Sequence, residues 1–240
     1  MKRQGAIRLV FPPQCAMCEA QVETEFSLCP TCWRDMPFIS GAVCDGCGVP
    51  LPGEVTDRAE LCDDCLTIAR PWDHGRAALL YKDNGRRFVL SLKHGDRTDL
   101  VHSAKGWMVQ AARSIITKGM VVVPVPAHWT RLLRRRYNQA ALLALALANS
   151  QDLQVVPDAL VRKRATPVQD GMGRDARFRN LIDAIQPHPK RSGDLKGRDI
   201  LLIDDVMTSG ATLAAATQAC YAAGATRVSV LVLAHVAKDT

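Results

Sequence analysis

No glutamate occurs after Glu60 in a chain of 240 residues. Aromatic side chains are sparse, at 5%, and leave few flat faces on which nucleic-acid bases could stack. Long apolar runs are missing. The longest, Ala140 to Ala148, falls far short of the roughly 20 residues a bilayer-spanning helix needs. The N-terminal MKRQGAIRLVFPPQC starts basic but has no apolar core segment and no small-residue cleavage site. A secretory leader is therefore not expected, and the expected compartment is the cytoplasm. With 48% hydrophobic and 23% charged residues, the composition excludes wholesale disorder, a collagen-like repeat and a purely disulfide-built miniprotein. The length fits one large domain, or one of ordinary size plus a small one.

What acid there is lies mostly at the front. Residues 1–70 hold 6 Lys+Arg and 10 Asp+Glu, a net of −4. Residues 71–240 hold 25 Lys+Arg and 14 Asp, a net of +11. A basic larger part favours an anionic ligand such as a phosphate ester or nucleic acid; a solvated basic face is the plain alternative.

Eight of the nine cysteines fall in four CxxC pairs: Cys15/Cys18, Cys29/Cys32, Cys44/Cys47 and Cys62/Cys65. Two such pairs turn four sulfurs toward one tetrahedral Zn²⁺. Sequential pairing closes the shorter loops. It would group Cys15, Cys18, Cys29 and Cys32 on one ion and Cys44, Cys47, Cys62 and Cys65 on a second. A cross-braced pairing also fits the spacing. Disulfides need an oxidising compartment, and redox CxxC motifs usually come singly; an iron–sulfur cluster remains a competitor. Four thiolates leave no open coordination position, so these sites are structural. Metal binding would also supply folding energy to a stretch too poor in aliphatic residues for a core of its own.

Beyond Arg70 the pattern changes, and Pro71-Trp72 reads as the boundary: residues 1–70 form the zinc ribbons and 71–240 the larger domain. Ala77–Tyr81 reads as a strand, Asp83–Gly85 as a turn, and two helical stretches follow, the second closed by Gly119. Met120–Pro126 is a buried strand, Arg131–Asn149 a helix, and Ala159–Arg164 a short strand. Residues Ala165–Arg179 are polar and basic, as in a mobile loop. Asp199–Asp204 and Arg227–Ala234 are strands flanking a helix over Thr212–Gly224. Alternating strands and helices predict an α/β fold, a parallel sheet with helices on both faces.

The segment ILLIDDVMTSGAT, Ile200 to Thr212, carries the most chemistry. A buried strand runs into Asp204 and Asp205, then a tight loop, then a helix. Free backbone N–H groups and the helix dipole favour an anion there. Gly210 permits close backbone approach, and Thr208, Ser209 and Thr212 add hydroxyls. The two carboxylates leave the strand at its carboxyl end, where open α/β sheets bind ligands. They could hold sugar hydroxyls and a hard divalent cation.

This segment resembles the phosphoribosyl pyrophosphate (PRPP) motif of type I phosphoribosyltransferases. VPVP (Val123–Pro126) resembles the pyrophosphate loop of glutamine PRPP amidotransferases, with Ala127-His128-Trp129 in place of their D-S-G. RRRYNQA (Arg134–Ala140) resembles the R-G-F-N-Q-A element of the ComF family of competence-associated proteins. TPVQDGMGRDARFRN resembles that family's flexible loop, with Thr166, Gln169, Arg177 and Asn180 matching. The four CxxC knuckles resemble its double zinc ribbon. The resemblance implies a type I phosphoribosyltransferase fold preceded by a small Cys-rich double zinc ribbon. It implies a PRPP site made of Asp204, Asp205, Val206, Met207, Thr208, Ser209, Gly210, Ala211 and Thr212, with the two aspartates catalytic. Ala127, His128 and Arg136 would face pyrophosphate, and a loop bearing Lys163, Arg164 and Arg177 would close over the site. Mg²⁺ would accompany PRPP.

The implied reaction displaces pyrophosphate from C1 of PRPP by a nitrogen nucleophile, with placed charge doing most of the catalysis. His94, His102 and His128 are candidate bases by residue type only. The sequence does not name the acceptor. A PRPP or nucleotide sensor without turnover is one alternative. A single-stranded-DNA-binding factor working with DNA-uptake proteins is another, since the family is associated with natural transformation.

Overall fold

The computed structural model describes residues 11–55, 58–94, 97–127, 137–163 and 184–237. Five parallel strands form the central sheet, in the order β1-β7-β6-β2-β3. They are β1 (Gly75–Leu80), β2 (Val121–Pro124), β3 (Gln154–Val155), β6 (Asp199–Met207) and β7 (Arg227–His235). A separate antiparallel pair joins β4 (Leu160–Arg162) to β5 (Ile185–Pro187).

The central strands are continuous apolar runs because both faces of the sheet are covered. Period-two alternation then sorts their side chains. Val121, Val123, Ile200, Leu202, Val228, Val230 and Val232 pack on one face against α6 (Ala211–Ala222). Val122, Leu201, Ile203, Leu231 and Leu233 pack on the other. There they meet α3 (Asp83–His94), α4 (Leu100–Ala111) and α5 (Gln139–Gln151). The chain thus leaves β2 toward one face and β6 toward the other. These strands are neighbours in register, Val121 opposite Ile200 and Pro124 opposite Ile203. The carboxyl ends of β2 and β6 therefore flank a topological switch point, where open sheets form ligand crevices.

Three boundaries differ from the sequence reading. Asp83–Gly85 is the first turn of α3 rather than a free turn. Gly85 is needed there because a Cβ would lie 2.3 Å from the Leu80 carbonyl oxygen. Helix α4 stops at Ala111, where the Ala112 N–H bonds back to Met108 and Gln110 and tightens the chain. Gly119, at φ +85°, only closes the turns that follow. Helix α5 starts at Gln139, because Asn138 is extended and its side chain accepts from the Ala140 N–H at 3.1 Å. Residues Arg131–Arg136 and the proposed loop over Ala165–Arg179 lie outside the described residues.

The cysteine knuckles sit against the β1 side of the sheet. Short helices α1 (Pro30–Arg34) and α2 (Asp63–Thr67) each begin beside a CxxC pair. The segment between the two knuckle pairs runs along the outer edge of β1. Phe38 bridges Leu79, the Ile39 N–H donates to the Ala78 carbonyl at 3.0 Å, and the Leu80 N–H donates to Pro37 at 2.9 Å. Cys44, Cys47, Cys65 and Trp72 share one apolar cluster with Ala77, Val230 and Val232 of the sheet. Among the described residues no helix is long and apolar enough to cross a membrane.

Candidate functional site

Strand β6 delivers Asp204 and Asp205 to the carboxyl edge beside the switch point. The Asp205 N–H donates to Asp204 Oδ1 at 2.9 Å, which fixes the first carboxylate against the chain. Asp205 Oδ2 lies 3.2 Å from Lys93 Nζ, and both side chains are more than four-fifths buried. Burial, and then the charge of Asp205, push the Asp204 carboxyl up to about 7. The Asp205 N–H and the charges of Lys93 and Arg162 pull the other way without winning.

Lys93 is held in place by the middle of the RRRYNQA element. The Tyr137 hydroxyl donates to the Leu92 carbonyl at 2.9 Å, and Gln139 Nε2 reaches the Lys93 carbonyl at 3.5 Å. Asn138 Nδ2 donates to the Val125 carbonyl at 3.0 Å, and the Val125 N–H to Ile203 at 2.8 Å. Tyr137, Asn138 and Gln139 therefore clamp the end of α3 to the end of β2, and so bring a cation to the aspartates.

After Met207, which is buried, the chain turns through an exposed Thr208 and a half-buried Ser209. Gly210 follows at φ +79°, the left-handed conformation that glycine adopts freely. It caps the twelve-residue α6 without a side-chain cap bond. The first N–H groups of α6 thus face the loop, in the arrangement that receives anions. Ala211 and Thr212 open the helix; the Ala211 N–H points at Ser209 Oγ, 3.4 Å away.

Other expected residues gather less completely. Ala127 ends the described part of the loop after β2, and Lys163 directly follows β4. The Lys163 N–H donates to the Ala184 carbonyl at 3.1 Å, so the loop that begins there is pinned at its base. His128, Arg136, Arg164 and Arg177 lie outside the described residues, as does the side chain of His94. His102 stacks on Phe26 with ring centroids 4.5 Å apart.

Sequence reasoning missed Lys93, Arg162, Arg70 and His235. His235 ends β7 opposite Met207. It is 7% exposed, and neither ring nitrogen has a hydrogen-bond partner among the described residues. Burial, then the charge of Arg70, lowers its pKa to about 4, so the ring is neutral at neutral pH.

The cysteines fall into two groups of four, Cys15/Cys18/Cys29/Cys32 and Cys44/Cys47/Cys62/Cys65. The grouping is the sequential one. Within each group all sulfurs lie within 4.8 Å of one another. A tetrahedron with Zn–S bonds of about 2.3 Å requires sulfurs about 3.8 Å apart. Cys18 and Cys29 sulfurs are 3.6 Å apart, and those of Cys47 and Cys62 are 3.7 Å apart. Backbone N–H groups point at the sulfurs as they would at thiolates: Cys29 to Cys15 Sγ and Cys62 to Cys44 Sγ, each at 3.3 Å. Hydrogen bonds from Cys47 and Cys65 hold the Cys44 thiol far below its ordinary range, and the partnership with Cys44 pushes Cys47 far above. Four sulfurs this close cannot all ionise without a cation, which suits Zn²⁺.

Residues 6–66 match the double zinc ribbon domain, and residues 138–240 match the phosphoribosyl transferase domain. The chain is 26% identical over 228 residues to the DNA utilization protein YhgH of Escherichia coli K12, covering 92% of this chain and 96% of that one. It is 25% identical over 206 residues to Competence protein F of Haemophilus influenzae, covering 83% and 87%. With Competence protein ComFC of Bacillus subtilis it shares 24% over 221 residues, covering 83% and 85%. A double zinc ribbon joined to a phosphoribosyl transferase domain, with relatives named for competence and DNA utilization, is consistent with the ComF family. The chain's fold is a type I phosphoribosyltransferase sheet preceded by a double zinc ribbon with two Cys₄ zinc sites. Among solved structures, a glutamine PRPP amidotransferase from B. subtilis complexed with ADP and GMP matches 60% of this chain and 30% of its own. At 18% identity and a TM-score of 0.39 that likeness is too loose to add weight.

Proposed function

We propose that this chain, with the two domains that ComF proteins join, binds PRPP at the β2–β6 switch point. It transfers the 5-phosphoribosyl group to a nitrogen acceptor and releases pyrophosphate. The observation that carries the reading is one juxtaposition. A carboxylate pair with its own buried cation, Asp204, Asp205 and Lys93, stands immediately before a helix N-terminus whose N-cap, Gly210, supplies no side-chain cap. One end recognises hydroxyls and the other a phosphate, the two ends of a ribose 5-phosphate.

Asp204 and Asp205 accept hydrogen bonds from the ribose 2′ and 3′ hydroxyls. Thr208 to Thr212 hold the 5′-phosphate with N–H and hydroxyl donors. Ala127, His128 and Arg136 face pyrophosphate, and the loop bearing Lys163, Arg164 and Arg177 closes over the ligand and excludes water. In the reaction the bond from C1 to the pyrophosphate oxygen breaks and its electron pair leaves with pyrophosphate. The acceptor nitrogen forms the new bond to C1 and gives up a proton to solvent. Mg²⁺ arriving with PRPP supplies charge at the leaving group.

Titration calorimetry of the zinc-loaded protein with PRPP, with and without Mg²⁺, tests the site. Mg²⁺-assisted binding is expected, abolished in Asp204→Asn/Asp205→Asn. It should strengthen between pH 6 and 8 as Asp204 ionises. No binding by folded wild-type protein would end this reading. Pyrophosphate release would then be screened against nitrogen nucleophiles to find the acceptor.

The relatives' names, DNA utilization and competence, favour a second activity on single-stranded DNA through the basic part of the chain. Such binding would weaken steeply with salt and survive Asp204→Asn.

A further inference from the structure

The second cysteine group does more than fold its own ribbon. Arg70 follows its last ligand by five residues and reaches in two directions. Its Nε donates to Cys65 Sγ at 3.4 Å, and its Nη1 donates to the Ser209 carbonyl at 2.8 Å. Trp72 makes a parallel link. Its Nε1 donates to the carbonyl of Gly46, inside the Cys44–Cys47 knuckle, at 2.6 Å. The far end of its ring lies against Gly210: a Cβ on that glycine would sit 3.0 Å from both Trp72 Cη2 and Arg70 Nη1. The guanidinium itself lies 5.6 Å from the Trp72 ring centroid. Two side chains anchored on one zinc site therefore close on one peptide of the phosphate loop.

That peptide joins Ser209 to Gly210. In a planar trans peptide the carbonyl and the following N–H point in opposite directions. By gripping the Ser209 oxygen, Arg70 turns the Gly210 N–H away from the ribbon. The grip depends on the ribbon because a metal-bound thiolate is a strong acceptor for a guanidinium N–H, whereas a free thiol is a weak one. Arginine suits the task because its planar fork presents N–H groups on two sides at once.

We propose that Arg70 is a positioning residue coupling the second zinc site to the phosphate loop. Zinc on Cys44, Cys47, Cys62 and Cys65 and a phosphoribosyl ligand at Thr208–Thr212 each bind more tightly when the other is present. The proposal rests on the reading of that loop as a PRPP site. Coupling between two bound ligands is reciprocal by thermodynamic necessity, so it can be read from the metal side without any turnover.

The experiment uses the full chain with two zinc ions bound. Zinc release to a chromophoric chelator is followed with and without PRPP, in excess Mg²⁺. Mg²⁺-pyrophosphate serves as the control for chelation by the ligand. Calorimetry of PRPP binding runs alongside. In wild-type protein PRPP is expected to slow release of one of the two zinc ions several-fold and leave the other unchanged. Arg70→Met, with two zinc ions still bound, is expected to lose that protection and to bind PRPP about tenfold more weakly. Arg70→Lys should not restore either, since one ammonium cannot span both acceptors. Wild-type protein that binds PRPP but releases both zinc ions at unchanged rates overturns the coupling and leaves the PRPP site standing. So does a two-zinc Arg70→Met that binds PRPP as tightly as wild type. Wild-type protein that does not bind PRPP overturns both. The wild-type comparison needs no variant, so it decides even if Arg70→Met does not fold.

Discussion

At neutral pH the Asp204 carboxyl stands near its midpoint of about 7, against an ordinary value of 3.8. Between those values the folded chain holds a proton that the unfolded chain has released. The stability this gives is fully present below about pH 3.8 and is lost as pH rises through 7. Asp204→Asn copies the protonated form and has no such dependence. Its melting temperature is expected to gain on wild type by several degrees between pH 5 and 8; parallel melting curves would contradict the assignment. Lys93 gives a second test. Removing it leaves Asp205 without a cation in a mostly buried place, at a cost on the order of 2 kcal/mol. Lys93→Met should therefore destabilise strongly, and Lys93→Met/Asp205→Asn should recover most of the loss in a urea double-mutant cycle. Additive effects would show that the pair does not interact. At this scale the sequence was legible only where the site is contiguous. Asp204 to Thr212 lie on one strand–loop–helix segment, so their order announces their placement. Lys93, Arg70 and Arg162 come from elsewhere in the chain, and only tertiary packing brings them to the loop and the aspartates.

Among elements, the two cysteine groups are unequal. Cys44 and Cys47 are fully buried in the cluster that contains the sheet valines. Cys15, Cys29 and Cys32 form a small cluster of their own. Cys44→Ser is expected to lower the melting temperature of the whole chain, while Cys15→Ser lowers it less. Circular dichroism melts would check this, and equal losses would show that neither ribbon is tied to the sheet. The major strands and helices were legible because their apolar runs are long. Three features were not. Asp-Asn-Gly looks like a turn, yet here it starts a helix because Gly85 alone fits against Leu80. Strand β4 falls within the expected short strand Ala159–Arg164, but its partner β5 is three residues long, too short for periodicity to register. The start of α5 at Gln139 depends on Asn138, which the basic run before it obscures. The four CxxC pairs were legible from their spacing, whereas their sequential grouping, preferred for its shorter loops, is decided by the distances between sulfurs.

For the molecule as a whole, charge separates as the sequence indicates, with an acidic front and a basic remainder. If the basic part holds single-stranded DNA, affinity should fall steeply between 50 and 200 mM salt by orders of magnitude, as it does when several phosphates are neutralised. A flat salt profile in fluorescence anisotropy would exclude that activity. The path of residues 37–39 along β1 has a separate consequence. A sheet that ends in an uncovered strand offers a row of vacant N–H and C=O groups to any passing chain. Here Pro37, Phe38 and Ile39 take that row at Ala78, Leu79 and Leu80. The zinc ribbon thus works as a sealing strip for the sheet. Residues 71–240 produced without it should self-associate through β1 even where their own core is intact, which light scattering would register as growth in mass with concentration.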